Sequence, residues 1–445
     1  MPASEAELQD WIRAKTGGEI AEWSQISGGN RCQSWAIDLD GGSATSVYLR
    51  YQPPRPPSAE PYTVWREARI YEALRETDIL APRLLAVHSS HQAIITELKL
   101  GRADYRSLGD AGQRETIAQE FIAAIARLHL THFKPGSLPG FNEHTRISDC
   151  VRAELETWYA MYAETGAPDP LVEFAMEWLF DNLPDPDGHP VLVQGDAGPG
   201  NFLFDDGHLT ALIDWELAHP GDPMEDIAWF SMRNVMEPVP DFSACLRTYE
   251  RIVGTPADNA RIRYHRVFVS ARVVIIRHRN VTGQPGNSIV SKSLNRRLLI
   301  DALAEATGIA LSPPEALKAA DTPQTVFYDG VLDALRDDIA GATSDAGIVA
   351  AAKNNAKVVK YLREVDRLGA LVAQSERAGL AALLGHPVTT LKDGRAEILD
   401  ALRARKILFE TALRFFADIV AREAQLAALT SGGLAARRLP ELESL

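Results

Sequence analysis

The chain has 445 residues and a formal net charge of −14. This length allows two or three domains, each with its own core, and the acidic balance argues against general nucleic-acid binding. No apolar run approaches the roughly 20 residues needed to span a bilayer, so no membrane partner is expected.

The three cysteines are too few and too widely separated to predict a disulfide framework or a zinc site. The N-terminal stretch is acidic and amphipathic and lacks the apolar core of a signal peptide. We therefore expect a cytoplasmic protein.

The first hundred residues predict a small β-rich domain. Residues 4–16 have the pattern of an amphipathic helix, and residues 20–49 read as three strands separated by Gly28-Gly29 and Gly41-Gly42. A proline-rich loop follows, then a helix at 63–76 and two further strands. Residues 1–100 should thus form a five-stranded, mostly antiparallel sheet with one helix.

After Gly101 the pattern becomes mainly helical. A proline-containing linker at 311–324 separates a helical region, residues 101–310, from a nearly neutral tail, residues 325–445, which we expect to be a separate all-helical domain. Helices are predicted before the linker at 113–132, 147–163, 168–182, 223–236, 241–253, 257–280 and 289–307.

The only strands expected after Gly101 form a hairpin within residues 191–230. Asp196 is followed five positions later by Asn201, and Asp214 comes thirteen positions after that. Residues 202–204 and 209–213 read as strands, so the hairpin should bring the second acid back beside the first acid and the amide. Phosphoryl transfer from a nucleotide requires such a set, although a hairpin with surface acids in its turns is the simpler alternative.

The order of a β-rich lobe, a helical lobe and an acid-bearing hairpin resembles the aminoglycoside phosphotransferase (kinase-like) family over roughly residues 15–305. The segment QGDAGPGN is similar to the family's HGDLHPGN-type loop, and IDWELAHPGDPMEDIAWF is similar to its metal-binding strand and following helix. The resemblance implies an α+β, bilobal protein-kinase-like fold that uses ATP and Mg²⁺. It also implies that Asp196 is catalytic and that Asn201 and Asp214 bind the metal.

The same resemblance implies roles for residues around the hairpin. Gln194 stands where the family usually has histidine, and either side chain can brace the loop by hydrogen bonding. Asp222 and Asp226 are expected to be structural, and His129 is expected to pack and not to catalyse.

The resemblance also implies a nucleotide site in the first lobe. Arg50 should reach the α- and β-phosphates, with Glu67 as its helix partner, and the backbone of Glu97 and Leu98 should contact adenine. A glycine turn should cover the phosphates, and it comprises Ser27, Gly28, Gly29 and Asn30.

The acceptor is less sharply indicated. The segment VYLRYQPPRPPSAEPYTVWREARIYEAL resembles a family branch associated with acyl-CoA metabolism, and the tail resembles a small helical partner of a 4-hydroxyacyl-CoA kinase of levulinate catabolism. The leading hypothesis is therefore a kinase for the hydroxyl of a small hydroxy acid or hydroxyacyl-CoA. The alternatives are an aminoglycoside, amino alcohol or sugar kinase, and a catalytically inactive kinase-like binding or scaffold protein.

Two features leave alternatives open. Between Asp258 and Asp301 nine basic residues occur without an acid, which indicates either a docking site for an anionic ligand or a helix face paired with distant acids. The tail could activate the enzyme, or it could be an appendage for homodimerisation or stability.

Overall fold

The computed structural model describes residues 3–26, 32–133, 138, 144–279 and 285–442. The chain forms two compact units. The first consists of Met1–Glu164, Leu183–His265 and Pro440–Leu445, and the second of Thr165–Asn182 and Arg266–Leu439.

The first unit begins with helix α1 (Glu5–Thr16), which Ser4 caps through its side chain while Glu7 completes a capping box. A five-stranded sheet follows, and every pairing in it is antiparallel, in the order β1-β2-β3-β5-β4. This confirms the predicted small antiparallel lobe. Its strands are β1 (Glu19–Ile26), β2 (Gln33–Asp40), β3 (Ser46–Tyr51), β4 (Leu84–Val87) and β5 (Ala93–Glu97).

Alternation of apolar side chains places one face of this sheet against α1. Ile37 and Val47 are fully buried partners in adjacent strands, and Leu8 and Ile12 of α1 belong to the same core cluster. Helix α2 (Val64–Leu74) begins at the cap residue Thr63 and buries Glu67 toward the sheet. The sheet thus supplies a rigid support for Arg50, near the end of β3.

The remaining elements of the first unit are mainly helical. Helix α3 (Ala111–Leu130) packs against α7 (Phe242–Val253) and against the hairpin strand β8 (His208–Leu212). In chain order these elements are α3 (Ala111–Leu130), α4 (Ile147–Ala163), β6 (Val191–Val193), β7 (Phe202–Asp205), β8 (His208–Leu212), β9 (His219–Gly221), α6 (Pro223–Met236), α7 (Phe242–Val253) and the first part of α8 (Asn259–Arg279), with a 3-10 turn at Tyr105–Ser107.

The predicted hairpin is present as β7 and β8, with Phe202 opposite Leu212. The expectation of no other strand after Gly101 was wrong, because β6 and β9 pair antiparallel, with Val193 opposite His219. β6 is Val-Leu-Val but has only three residues, and β9 is equally short and contains Pro220, so neither reaches the length of a typical strand. Their pairing nevertheless joins the start of the loop that contains Asp196 to the segment before α6.

The second unit is all helical. Its elements are α5 (Pro170–Asp181), the second part of α8, α9 (Pro285–Thr307), α10 (Thr325–Ala334), a π-helical turn (Leu335–Ala340), α11 (Ala346–Leu384), α12 (Leu391–Arg403), α13 (Phe409–Leu426), α14 (Ala428–Ser431) and a 3-10 turn (Gly432–Ala436). A helical region at the C-terminus confirms that part of the predicted fold class.

The division into units differs from the predicted boundaries after residues 100 and 310, because α5 and α9 group with the tail. Helix α9 packs against α11 and α13, and Phe174 of α5 stacks on Phe409 with ring centroids 4.8 Å apart. Apolar surface on α5 and α9 is therefore buried by the tail helices. Among the residues described, no helix combines the length and apolar character required to cross a membrane.

Candidate active site

The loop after β6 is fixed by a buried carboxylate on α6. Asp226 accepts the backbone N–H of Gln194 at 2.8 Å and that of Gly195 at 2.9 Å, and His129 Nε2 lies 3.0 Å from the same carboxylate. Gly195 has φ +81°, and a Cβ there would come within 2.4 Å of Leu217 O, so only glycine fits. Asp226 and His129 therefore lie in the support of the loop.

Gln194 joins the two ends of the site. Its Nε2 donates to the carbonyl oxygens of Ile213 and Asp214, each at 3.0 Å, while its Oε1 accepts the N–H of Asp196 at 2.9 Å. The residue that departs from the family pattern thus braces the loop by hydrogen bonding. The expected bracing is present, with both the donor and the acceptor of the amide in use.

Asn201 lies directly against Asp196. Its Nδ2 donates to Asp196 O and to Asp196 Oδ2, both at 2.8 Å, and its carbonyl accepts Ile213 N–H at 3.0 Å across the hairpin. Asn201 Oδ1 has no hydrogen-bond partner among the described residues. An amide oxygen left free in this way, together with the Asp214 carboxylate, is a donor set that suits a hard cation such as Mg²⁺.

Arg233 is one of two site residues that the sequence analysis missed. Its Nε donates to Asp196 Oδ1 at 2.9 Å, and Nη2 donates to Oδ2, which makes a bidentate ion pair. Burial raises the pKa of Asp196 above its usual range, and the Arg233 charge opposes that rise. Arg233 lies on α6, 37 residues after Asp196, so no local spacing could have indicated it.

Arg50 is buried among three carboxylates. Its Nε lies 3.1 Å from Glu67 Oε2, the expected partner, and its Nη2 contacts Asp214 Oδ1 at 3.1 Å and Glu216 Oε2. Burial raises the pKa of Glu67 to about 7, although the Arg50 charge lowers it. Glu216 was not predicted; its only signal is its position two residues after Asp214.

A cavity of about 460 Å³ in the first unit contains much of the predicted nucleotide site. Arg50, Glu97, Leu98, Asn201 and Asp214 all line it, and its size falls within the range of small-molecule sites. Asp196 is not among the lining residues, but Asn201 connects it to them. The predicted glycine turn, Ser27 to Asn30, falls outside the described residues.

Glu97 and Leu98, the two residues predicted to contact adenine, differ in the hydrogen bonds of their backbone. Glu97 N–H donates to Arg83 O at 2.9 Å, whereas the backbone of Leu98 makes no hydrogen bond with any other residue in the described ranges. Leu98 therefore offers the free donor and acceptor that adenine would require.

Asp222 has a structural position. It caps α6 by accepting Met224 N–H at 2.9 Å, and it pairs with Arg261 and with His265 Nε2, which lies 3.1 Å away. Burial alone would raise its pKa, but His265 and Arg261 hold that pKa down at about 2.

A small antiparallel lobe, a helical region and a hairpin carrying Asp196, Asn201 and Asp214 define a protein-kinase-like fold. The model of one family, described as the phosphotransferase enzyme family (APH), matches residues 22–262, more than half of the chain. The chain belongs to this family. Membership confirms the predicted resemblance and the predicted enzyme class, a phosphotransferase.

Two curated relatives carry the name acyl-CoA dehydrogenase family member 11. The human protein is 29% identical over 206 residues, which are 44% of this chain and 26% of that protein. The chicken (Gallus gallus) protein is 30% identical over 200 residues, 42% of this chain and 25% of that protein. The chain thus spans about a quarter of the length of these relatives.

Among solved structures, a Ralstonia eutropha JMP134 protein assigned to the aminoglycoside phosphotransferases has a similar fold. Its TM-score is 0.53 at 20% identity, and the alignment covers 69% of this chain and 99% of that protein. At this identity the likeness concerns the fold alone.

Proposed function

We propose that the protein transfers the γ-phosphoryl group of ATP to a hydroxyl of a small organic acid, either free or as a hydroxyacyl-CoA. Asp196 accepts the hydroxyl proton while the hydroxyl oxygen bonds to the γ-phosphorus and the bond to the β–γ bridging oxygen breaks, which releases ADP. Bound Mg²⁺ would supply neutralisation of the phosphate charge. The observation that carries the proposal is the pairing of Asn201 Nδ2 with Asp196 Oδ2, which leaves the amide oxygen free.

The other roles follow from the same cleft. Asn201 and Asp214 would hold the metal, Arg50 would bind the α- and β-phosphates, and Glu67 would hold Arg50 in place. Leu98, with its free backbone, is the better candidate than Glu97 for contact with adenine. The turn Ser27 to Asn30 remains a proposal for covering the phosphates. Mg²⁺ and ATP are thus the proposed cofactors.

Arg233 supports an anionic acceptor. Its guanidinium contacts Asp196, and 30% of its side-chain surface remains exposed, so a negative group on the acceptor could share this charge. A polycationic aminoglycoside would instead bring like charges together, which costs free energy. The names of the curated relatives also favour an acyl-CoA-linked acceptor over an antibiotic, an amino alcohol or a sugar.

The test measures ADP release with 4-hydroxyvalerate, 4-hydroxyvaleryl-CoA, fructose and kanamycin as separate acceptors, each with ATP and Mg²⁺. We expect turnover with one or both acids. Asp196→Asn should then reduce turnover about 10²- to 10⁴-fold while nucleotide binding persists. Asp206→Asn is the matched control, because Asp206 is an exposed residue of the hairpin turn, and asparagine tolerates its φ of 46°.

Each outcome has a distinct meaning. Turnover of kanamycin without turnover of either acid would reject the acceptor class but keep the phosphotransferase assignment. An Asp196→Asn variant with unchanged turnover would reject the active site itself. Nucleotide binding without turnover of any acceptor would favour the kinase-like binding protein.

We also propose cytoplasmic residence and self-association through the C-terminal helices. The free thiols of Cys32, Cys150 and Cys245 are buried, which suits a reducing compartment.

The proposed self-association rests on exposed apolar side chains. Val326 and Phe327 of α10 are 67% and 72% exposed, and leaving two adjacent apolar side chains in water costs free energy. A Phe327→Ser variant should have a lower mass by light scattering than the wild type, whereas Leu408→Ser, at a separate exposed apolar residue, should not. A monomeric wild type would reject self-association.

A further inference from the structure

Four of the nine basic residues in the basic segment, between Asp258 and Asp301, form ion pairs with acids. These ion pairs are structural, because each holds a helix to its neighbour or to its own next turn. They are Arg261 with Asp222, Arg266 with Glu305, Arg296 with Asp169 and Glu423, and Arg297 with Asp301.

Two further cations of the segment are unpaired among the described residues. Neither Arg277 nor Lys292 forms an ion pair or a hydrogen bond with any residue that the structure describes. The Nε of Arg277 is buried without an acceptor, and burial lowers the pKa of this guanidinium. The Arg277 charge is thus partly desolvated and has no acid partner in the described ranges, which favours the binding of an anion.

Both cations line one cavity of about 390 Å³ within the second unit, which we call the cationic cavity. Asp169 also lines it but is already paired with Arg296 at 2.5 Å, so the excess positive charge comes from Arg277 and Lys292. The cavity is formed by α8, α9 and α11 together with the residue that caps α5. Its lining residues are Asp169, Val274, Arg277, His278, Ser288, Ile289, Lys292, Asn295, Arg296 and Tyr361.

The rest of the wall is mixed in character. Val274, Ile289 and the ring of Tyr361 provide apolar surface, and the Ser288 hydroxyl provides a hydrogen-bonding group on the first turn of α9. His278 Nε2 forms a hydrogen bond with Ala167 O at 2.6 Å and is therefore not available to a ligand. Such a wall suits a ligand with one anionic end and one apolar end.

We propose that the cationic cavity binds a small organic anion, a carboxylate or phosphate carried on an apolar body. The guanidinium fork of Arg277 bonds two oxygens of the anionic group, and Lys292 adds a point charge. The apolar body lies against Val274, Ile289 and Tyr361. The cavity belongs wholly to the second unit, so this site is separate from the proposed nucleotide cleft and does not depend on the proposed reaction.

The test is calorimetric titration of the full chain with inorganic phosphate, phenyl phosphate, benzoate and the neutral benzamide. We expect phenyl phosphate or benzoate to bind more tightly than inorganic phosphate, and benzamide to bind weakly or not at all. Arg277→Gln and Lys292→Met should each lower the affinity for the aromatic anion about tenfold. Lys353→Met, at an exposed lysine of α11 in the same unit, is the matched control and should leave the affinity unchanged.

Three results would overturn the site. One is equal binding of benzamide and benzoate, and another is no detectable binding of any anion at millimolar concentration. The third is binding that Arg50→Gln removes but Arg277→Gln and Lys292→Met do not, since the anion would then occupy the nucleotide cleft. Lys292 is exposed, so its variant keeps the test valid should Arg277→Gln fail to fold.

Discussion

Charged side chains are dense in two places: the site around Arg50, Asn201 and Asp214 in the first unit, which we call the hairpin site, and the cationic cavity in the second. The balance of positive and negative charge differs between the two. In the hairpin site Arg50 has three carboxylate partners and Asn201 keeps an oxygen free, so the unused groups are donors for a cation. In the cationic cavity Arg296 forms ion pairs with Asp169 and Glu423, and the charged groups without a partner in the described ranges are Arg277 and Lys292. The ligand charge proposed for each site follows from the groups that its internal ion pairs leave unpaired.

The largest expected effect tests the cation side of this comparison. Asp214→Asn keeps the shape of the side chain but removes the charge that faces the proposed metal. Turnover should fall about 10²- to 10³-fold, and the Mg²⁺ concentration for half-maximal rate should rise. The measurement is ADP release across a Mg²⁺ titration, with Asp206→Asn as control. An unchanged Mg²⁺ requirement would mean that Asp214 serves only as a partner of Arg50.

A smaller effect concerns Asp222, an acid of the first unit that neutralises Arg261 at the start of the basic segment. Asparagine can still cap α6, but it leaves the Arg261 guanidinium without its counter-charge. Asp222→Asn should lower the free energy of unfolding by about 3 kcal/mol at pH 7, measured by urea denaturation. Asp241→Asn, at the exposed cap of α7, should cost less than about 1 kcal/mol.

The pH dependence gives this prediction a sign. The pKa of Asp222 is about 2 in the folded protein and 3.8 as an ordinary value, so its contribution is present above pH 4 and is lost as the pH falls toward 2. The difference between wild type and Asp222→Asn should therefore shrink by about 2 kcal/mol over that interval. A difference that stays constant would assign the loss to packing and not to charge.

The comparison also explains which features the sequence could predict. Asn201 lies five residues from Asp196, and a single hairpin brings Asp214 back beside them. The residues of the site could therefore be predicted from a short stretch of sequence. The predicted bounds of α4 and α6 match the structure for the same reason, since the apolar periodicity of both helices and the Asp222 cap of α6 are local. Arg233, 37 residues from Asp196, has no such pattern, because its position depends on how α6 packs.

The ion pairs of the basic segment could not be predicted from the sequence for a related reason. Arg296 pairs with Asp169 and Glu423, each 127 residues away, and only the packed helices bring them together. The two readings of the segment could not be separated until those partners were known. Four of the eight arginines form ion pairs, which supports the second reading for that part of the segment. The first reading stays a proposal, for Arg277 and Lys292.

The most limited change tests whether Arg233 makes the acid-rich site selective for an anionic acceptor. Arg233→Gln should lower kcat for every acceptor, because Asp196 loses its bidentate partner. It should lower kcat/KM for a hydroxy acid about tenfold more than for a neutral alcohol, since a charge-assisted contact is lost only with the acid. Arg233→Lys keeps the charge and should restore most of that selectivity. An equal loss for both acceptors would show that Arg233 only positions Asp196, and the charge of the acceptor would then have to be recognised by other residues of the cleft.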